Sequence, residues 1–371
     1  MGEVRVTTSP VLLCRTADRQ KMDGMTTGER WTLGEQFESQ PNALNLIRLL
    51  LAGTVVAWHS YALPGNDGLP APITQLLEAV PVDAFFAISG FLICRAWVRR
   101  PNLGRFALAR ARRLLPGLWA CLVVTAFVIA PLATEVSVMG QLRFVFGNAT
   151  TWVGAWGIDN GPFGVPNEGV WNGSLWSLPR EAACYIGVAA LGVVGLLRAR
   201  IVAGVALTFW IVSAAVMVDG GLTPMWFDLL ARAGLMFACG ALLWFHRGQI
   251  PASRHLALAC VTLVAVASLT PNYRVLAGPA VAYLCIHAAL TLGRHPRLVI
   301  SNDLSYGLYL YGFPIQQALL VVGVSGGWSF VLVSFAFTIP AAALSWFVVE
   351  RHALRHRKKK APALAEARAG Q

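Results

Sequence analysis

Apolar residues come in long runs along this chain, separated by short polar or basic connectors. A helix needs about 20 apolar residues to cross a bilayer core. Runs approaching that length lie near residues 42–63, 73–98, 114–133, 174–197, 201–218, 227–245, 256–269, 275–292, 304–322 and 328–349, with 256–269 the shortest. The pattern predicts an all-α, polytopic membrane protein with about ten transmembrane helices. Residues 1–41 are polar and hold no apolar run long enough for a signal-peptide core, so they are expected to form a disordered cytoplasmic tail. Residues 42–350 then form the membrane domain and 351–371 a basic cytoplasmic tail. Between the third and fourth runs lies one long loop, 134–173, which carries Trp152, Trp156 and Trp171. Pro314 is expected to break or kink the run at 304–322.

Composition agrees with the pattern. Of 371 residues, 56% are hydrophobic and 13% charged, and the mean hydropathy is +0.58; soluble domains carry about 25% charged residues. The formal net charge of +12 changes the picture in one respect, because it is not spread evenly. Alternate connectors hold the Lys and Arg, from Arg95 through Arg113, then Arg198 and Arg200, Arg247 and Arg254, Arg294 and Arg297, and the final RHALRHRKKK. The other connectors hold only Arg143 and Arg274. By the positive-inside rule this places both termini in the cytoplasm, with an even number of spans. The charge is therefore a topology signal, and nucleic acid is not an expected partner. The seven cysteines show no CxxC and no Cys/His metal spacing, so no metal site is expected and the thiols are read as free and buried. No internal repeat is visible, which argues against transporters built from duplicated halves.

Ionisable residues inside the runs are the candidates for chemistry. Arg48 and His59 share the first run, eleven positions apart. At about 100° per residue they lie on one helix face, about 16 Å apart along the axis. A buried cation costs roughly 2.5–3.5 kcal/mol on insertion scales, so each is a functional candidate. The competing reading has Arg48 snorkelling to the headgroups and His59 satisfied within the bundle. Asp83, in VDAFFAISGF, lies at a depth similar to His59 and either orients the imidazole or caps its own helix after Pro81. Arg110 and Arg113, at i and i+3 in the basic connector, suit the oxygens of a phosphate; such residues also fix topology and touch anionic lipid. Glu181, in WNGSLWSLPRE, needs a partner or a wet cavity. Ser174, Trp176 and Tyr309 are the candidates for contacting a substrate, against the alternatives of an interfacial aromatic belt and helix-to-helix hydrogen bonding. A His base with Arg groups holding an anionic donor fits group transfer, and a proton-coupled transporter uses the same residue types.

Five pieces in order resemble the membrane-bound acyltransferase-3 family of integral O-acyltransferases. They are Arg48 and His59 in the first run, VDAFFAISGFLI, RFALARARRLLPGLW with Arg110 and Arg113 as its RxxR, NGSLWSLPRE with Glu181, and SYGLYLYGFP. The resemblance covers nearly all of 42–350 and implies ten helices, an acyl-CoA donor and an acceptor hydroxyl, usually on a sugar. It implies that His59 and Arg48 are essential, with Arg110 and Arg113 near the CoA phosphates and Arg48 guiding the donor. Two positions depart from the pattern: Gly312 stands where many members have His, and Arg180 where an aromatic residue is common. The resulting expectation is an inner (plasma) membrane O-acyltransferase, an acetyltransferase in the first instance, transferring to a hydroxyl of a sugar or glycoconjugate such as cell-surface polysaccharide, with a glycan, a glycolipid or a small metabolite as the acceptor. His59 is general base or transient acyl acceptor, and Asp83 and Glu181 are secondary candidates for orienting it or the acceptor. No permanently bound cofactor is expected; acetyl-CoA or another acyl-CoA is the donor. Expected partners are the bilayer and, beyond the substrates, a second copy or polysaccharide-assembly proteins. The alternative is a transporter or flippase for a glycan or lipid-linked precursor.

Overall fold

A computed structural model describes residues 31–218 and 222–355. Among these the fold is all-helical, with two isolated β-bridges and no strand. In chain order the helices are α1 Leu33–Ser39, α2 Leu44–Ala62, α3 Ala71–Arg99, α4 Leu103–Ala133, α5 Val138–Gly147, α6 Leu178–Val193, α7 Ala199–Val218, α8 Met225–His246, α9 Arg254–Ala267, α10 Arg274–Gly293, α11 Ser305–Val321 and α12 Gly327–Leu354. A helix therefore stands at each of the ten apolar runs. Six of them, α3, α4, α7, α8, α10 and α12, are long and apolar enough to cross a membrane. Counted together, α1 and α2, which meet at 106°, add a seventh. Large apolar side chains stand open on the outside of the bundle, among them Leu132 at 80% and Trp328 at 83%. An apolar exterior of that extent suits hydrocarbon rather than water.

Three local features differ from the sequence reading. Residues 1–30 and 356–371 lie outside the described residues, but part of the expected N-terminal tail is a helix. At its start Thr32 accepts from the Glu35 N–H while the Glu35 carboxylate accepts from the Thr32 N–H, a reciprocal capping box that satisfies two orphan donors. Leu33 and Phe37 are buried, and Glu38 pairs with Arg95 and Arg99 at the end of α3. Second, the basic connector is continuous with the third apolar run. Asn102 accepts from the Arg105 N–H at 2.9 Å and starts α4, which runs unbroken into the membrane segment. Third, the long loop contains α5, started by Ser137.

Pro314 sits inside α11 without ending it. A proline leaves the carbonyl four residues earlier without its helical donor. Here that carbonyl, on Leu310, accepts from the Asn172 side-chain amide at 3.1 Å and from the Cys121 thiol at 3.4 Å. Neighbouring segments thus repair the break, which is how membrane helices tolerate proline. The repair also ties the 3-10 turn Gly173–Ser177, which leads into α6, to α11.

The bundle is centred on α3 and α8, which touch backbone to backbone. A Cβ at Gly90 would lie 1.9 Å from the Phe237 carbonyl oxygen, and one at Gly240 would lie 1.8 Å from that of Ala87. Small residues at both positions allow this approach, the usual device of helix packing in lipid. By contrast α7 buries only 17% of its span against 67% for α8, and forms the periphery.

Candidate active site

A cavity of about 820 Å³ opens among α2, α3, α4, α6, α11 and α12. Its wall holds six arginines, Arg48, Arg100, Arg105, Arg110, Arg112 and Arg113, against two carboxylates, Asp303 and Glu181. The remaining lining is largely aliphatic and aromatic. Such a surplus of guanidinium groups in a half-enclosed site is built for an anion with several oxygens.

Asp303, in the connector before α11, sets the geometry at the centre. One of its carboxylate oxygens accepts from Arg48 at 2.5 Å and from Arg113 at 2.6 Å. The other accepts from the Ser305 N–H at 3.3 Å and its hydroxyl at 2.5 Å. Burial pushes this carboxyl up, but the two guanidinium groups and the Ser305 hydrogen bonds outweigh that and hold it at about 2. Two cations from different helices are thereby fixed side by side on one oxygen. Arg48 also lies over the Phe85 ring and Arg113 over Tyr306, at 5.9 and 5.5 Å from the centroids. Arg110 lies 5.9 Å from the Tyr185 centroid, and its buried Nε has no hydrogen-bond partner among the described residues. Glu181 accepts from the Ser89 hydroxyl at 3.3 Å and from the Tyr185 hydroxyl.

The arginines crowd one end. Arg100 and Arg105, at the mouth, are exposed, whereas Arg110, Arg112 and Arg113 are half-buried further in. At the opposite end the deepest lining residues are Arg48 on α2, Val82 and Phe85 on α3, Ser177 ahead of α6, and Tyr309 on α11. Phe85 and Tyr309 meet edge to face with centroids 6.2 Å apart. The Tyr309 hydroxyl donates to the Ser174 carbonyl at 3.1 Å and shares a 2.7 Å hydrogen bond with Ser177 Oγ. The π-helical turn Trp346–Glu350 of α12 adds Trp346 to the wall, an irregularity of the kind that often sits at functional sites.

The cavity thus gathers Arg48, Arg110, Arg113, Glu181 and Tyr309, five of the candidates read from the sequence. It does not gather the other four. His59 is half-buried beyond the Tyr309 end and is not on the wall. Its Nδ1 is buried without a protein hydrogen-bond partner, and its ring meets the Phe313 edge at 5.3 Å. Asp83 neither orients His59 nor caps α3. It forms an ion pair with Arg274 Nε at 2.6 Å and accepts from the Tyr273 hydroxyl, so it fastens α3 to the start of α10. A buried carboxylate takes the nearest available cation, and Arg274 provides it. Ser174 contributes its carbonyl to Tyr309, while its hydroxyl is buried off the wall. Trp176 stacks with Arg180, whose guanidinium lies 5.3 Å from the ring centroid. At Gly312 a Cβ would come within 2.8 Å of Val56 Cγ2, so glycine lets α11 pack closely on α2. No group of His, Cys, Asp and Glu suited to a metal ion occurs among the described residues.

Sequence reading missed Asp303, which lies in a connector and so on no periodic face. The one signal was an acid directly ahead of SYGLYLYGFP in a connector otherwise marked by Arg294 and Arg297. Ser89 and Tyr306 lie within the segments VDAFFAISGF and SYGLYLYGFP that the sequence singles out, whereas Tyr185 lies outside all five.

Comparison with known proteins adds an independent line. A family model described as "Acyltransferase domain" matches residues 42–350. A protein named "O-acetyl transferase" from Shigella phage Sf6 is 27% identical over 337 residues, 86% of this chain and 98% of that protein. "Nodulation protein 10" from Rhizobium leguminosarum bv. viciae is 27% identical over 362 residues, 87% of this chain and 96% of that protein. No solved structure matches the chain.

Proposed function

The chain belongs to the acyltransferase-3 family, and on that premise we propose that it is a multi-pass O-acyltransferase of the inner (plasma) membrane, moving an acetyl group from acetyl-CoA to a hydroxyl of a sugar or glycoconjugate such as a cell-surface polysaccharide. The observation that carries this reading is the cavity with six arginines against two carboxylates. A CoA thioester is a polyphosphate on a long, mostly apolar arm, and it needs a site that is cationic at one end and apolar along its length. From Arg100 to Phe85 along α3 is about 22 Å at the helical rise, room for an extended arm. Arg100, Arg105, Arg110 and Arg112 hold the phosphates from the mouth inward, and Arg113, fixed beside Arg48 on Asp303, takes an oxygen further along the donor. The positive-inside rule supports a cytoplasmic mouth, on the side where CoA esters are made. The phage relative's name favours acetyl and an oxygen acceptor.

His59 works on the far side of the Tyr309 layer. Its imidazole takes the proton from the acceptor hydroxyl as that oxygen attacks the thioester carbonyl. The carbon–sulfur bond then breaks, and the thiolate of CoA recovers a proton as it leaves toward the mouth. Phe313, one turn beyond Tyr309 on the same face of α11, stands edge to face with His59, so rotation of the Phe313 ring opens the imidazole to the acceptor while Tyr309 keeps its place.

The donor half of this reading is tested by equilibrium binding of acetyl-CoA to the purified protein. A charge-assisted hydrogen bond contributes about 1.5–3 kcal/mol, so Arg110→Ala and Arg113→Ala each weaken binding by roughly tenfold to a hundredfold. Wild-type-like affinity in both variants, or no binding by the wild type, overturns it.

A further inference from the structure

Where the cavity ends decides which acyl groups it accepts. We infer that the Phe85–Tyr309 ring pair is the floor of the donor cavity and restricts the donor to short acyl chains. The inference rests on the acyl-CoA reading above and deepens it by naming the chain length.

Arg48, Ser177 and Tyr309 are the last lining residues of their segments at this level, and on α3 only Val82 lines the wall beyond Phe85. Below it the cavity continues to the mouth; beyond it, Phe313 and His59 leave the wall. The pair is not a loose side-chain contact. Tyr309 is buried and held by the Ser174 carbonyl and Ser177 Oγ. Those groups are themselves fixed, because Asn172 accepts from the Ser174 N–H at 3.1 Å and donates to the Leu310 carbonyl that Pro314 leaves free. Phe85 is pinned between Tyr309 and the Arg48 guanidinium, which Asp303 holds in turn. A thioester whose phosphates sit on the arginines carries its acyl end toward this floor. An acetyl group fits on it; each further methylene must displace either Tyr309, held by two hydrogen bonds, or Phe85, held between Tyr309 and the Arg48 guanidinium. One methylene in a fitted apolar pocket changes selectivity by roughly 10–200-fold.

The experiment measures kcat/KM of the purified protein for acetyl-, butanoyl- and hexanoyl-CoA, in the wild type and in Phe85→Ala and Phe85→Met. The ratio of long to short donor is the readout, since it cancels a general loss of activity. Expected is a wild type that prefers acetyl-CoA by at least tenfold and a Phe85→Ala protein in which the ratio moves at least tenfold toward butanoyl or hexanoyl. Phe85→Met keeps most of the volume and shifts the ratio in the same direction by less; it decides the matter if Phe85→Ala fails to fold. A wild type active on acetyl-CoA whose profile is unchanged in a folded Phe85 variant overturns the floor and leaves the donor reading standing. A wild type equally active on all three donors also overturns it. If no acyl-CoA is consumed at any length, the donor reading fails and takes the floor with it.

Discussion

Asp303 is the residue through which Arg48 and Arg113 become one unit. Side chains of all three are largely buried, at 9%, 21% and 13% exposure. Removing one partner of a buried charge group leaves the others uncompensated, at a cost of about 3–5 kcal/mol. Asp303→Asn should therefore lower the thermal midpoint of the purified protein clearly, and weaken acetyl-CoA binding because the two guanidinium groups lose their common anchor. A denaturation scan unchanged from wild type would contradict this. The pH dependence has a definite sign. The carboxyl is depressed from 3.8 to about 2 in the folded protein, so its stabilisation is complete above the ordinary carboxylate range and lost only as pH falls through about 2. An acid limb in the activity profile between pH 5 and pH 7 must then come from another group, and the difference between wild type and Asp303→Asn should be constant over that range.

Helices carry the site because of where they touch. The α3–α8 crossing at Gly90 and Gly240 fixes the azimuth of α3, and with it the positions of Phe85 and Ser89 on the cavity wall. Gly240→Ala would force a methyl against the Ala87 backbone, which cannot move as a flexible side chain can. Overpacking costs about 1–3 kcal/mol or more, so this variant should show a lower midpoint and reduced recovery of folded protein; a wild-type midpoint would show that the crossing opens freely. Element by element, hydropathy located a helix at every apolar run, since burial in lipid leaves a long uniform signal. It did not find α1 or α5, which are too short to leave one. Helical spacing put Arg110 and Arg113 on one face correctly, because i and i+3 is a local relation. It could not say which neighbour each face would meet. Asp83 was matched with His59 by depth, whereas the fold gives it Arg274, a partner remote in sequence that no local pattern links to it. His59 and Arg48 do share α2, yet only Arg48 opens into the cavity, because the Tyr309–Phe85 layer closes between their levels.

At the scale of the whole molecule, a basic mouth, an apolar shaft and an imidazole beyond its end are the parts on which the proposed function rests: a donor taken from one side of the membrane and chemistry directed toward the other. The parts are asymmetric: five of the six arginines lead in from one end, Arg48 stands at the other, and His59 with the buried Ser174 hydroxyl lies past it. The alternation of basic connectors predicts the direction, and the proposed function takes the mouth to face inward. The measurement that tests this most directly is transfer from acetyl-labelled CoA by the protein in a bilayer disc, wild type beside His59→Ala, with donor binding recorded on the same samples. The account predicts that the wild type moves the label off CoA while His59→Ala binds the donor with wild-type affinity and transfers none. Transfer by folded His59→Ala at the wild-type rate would contradict it.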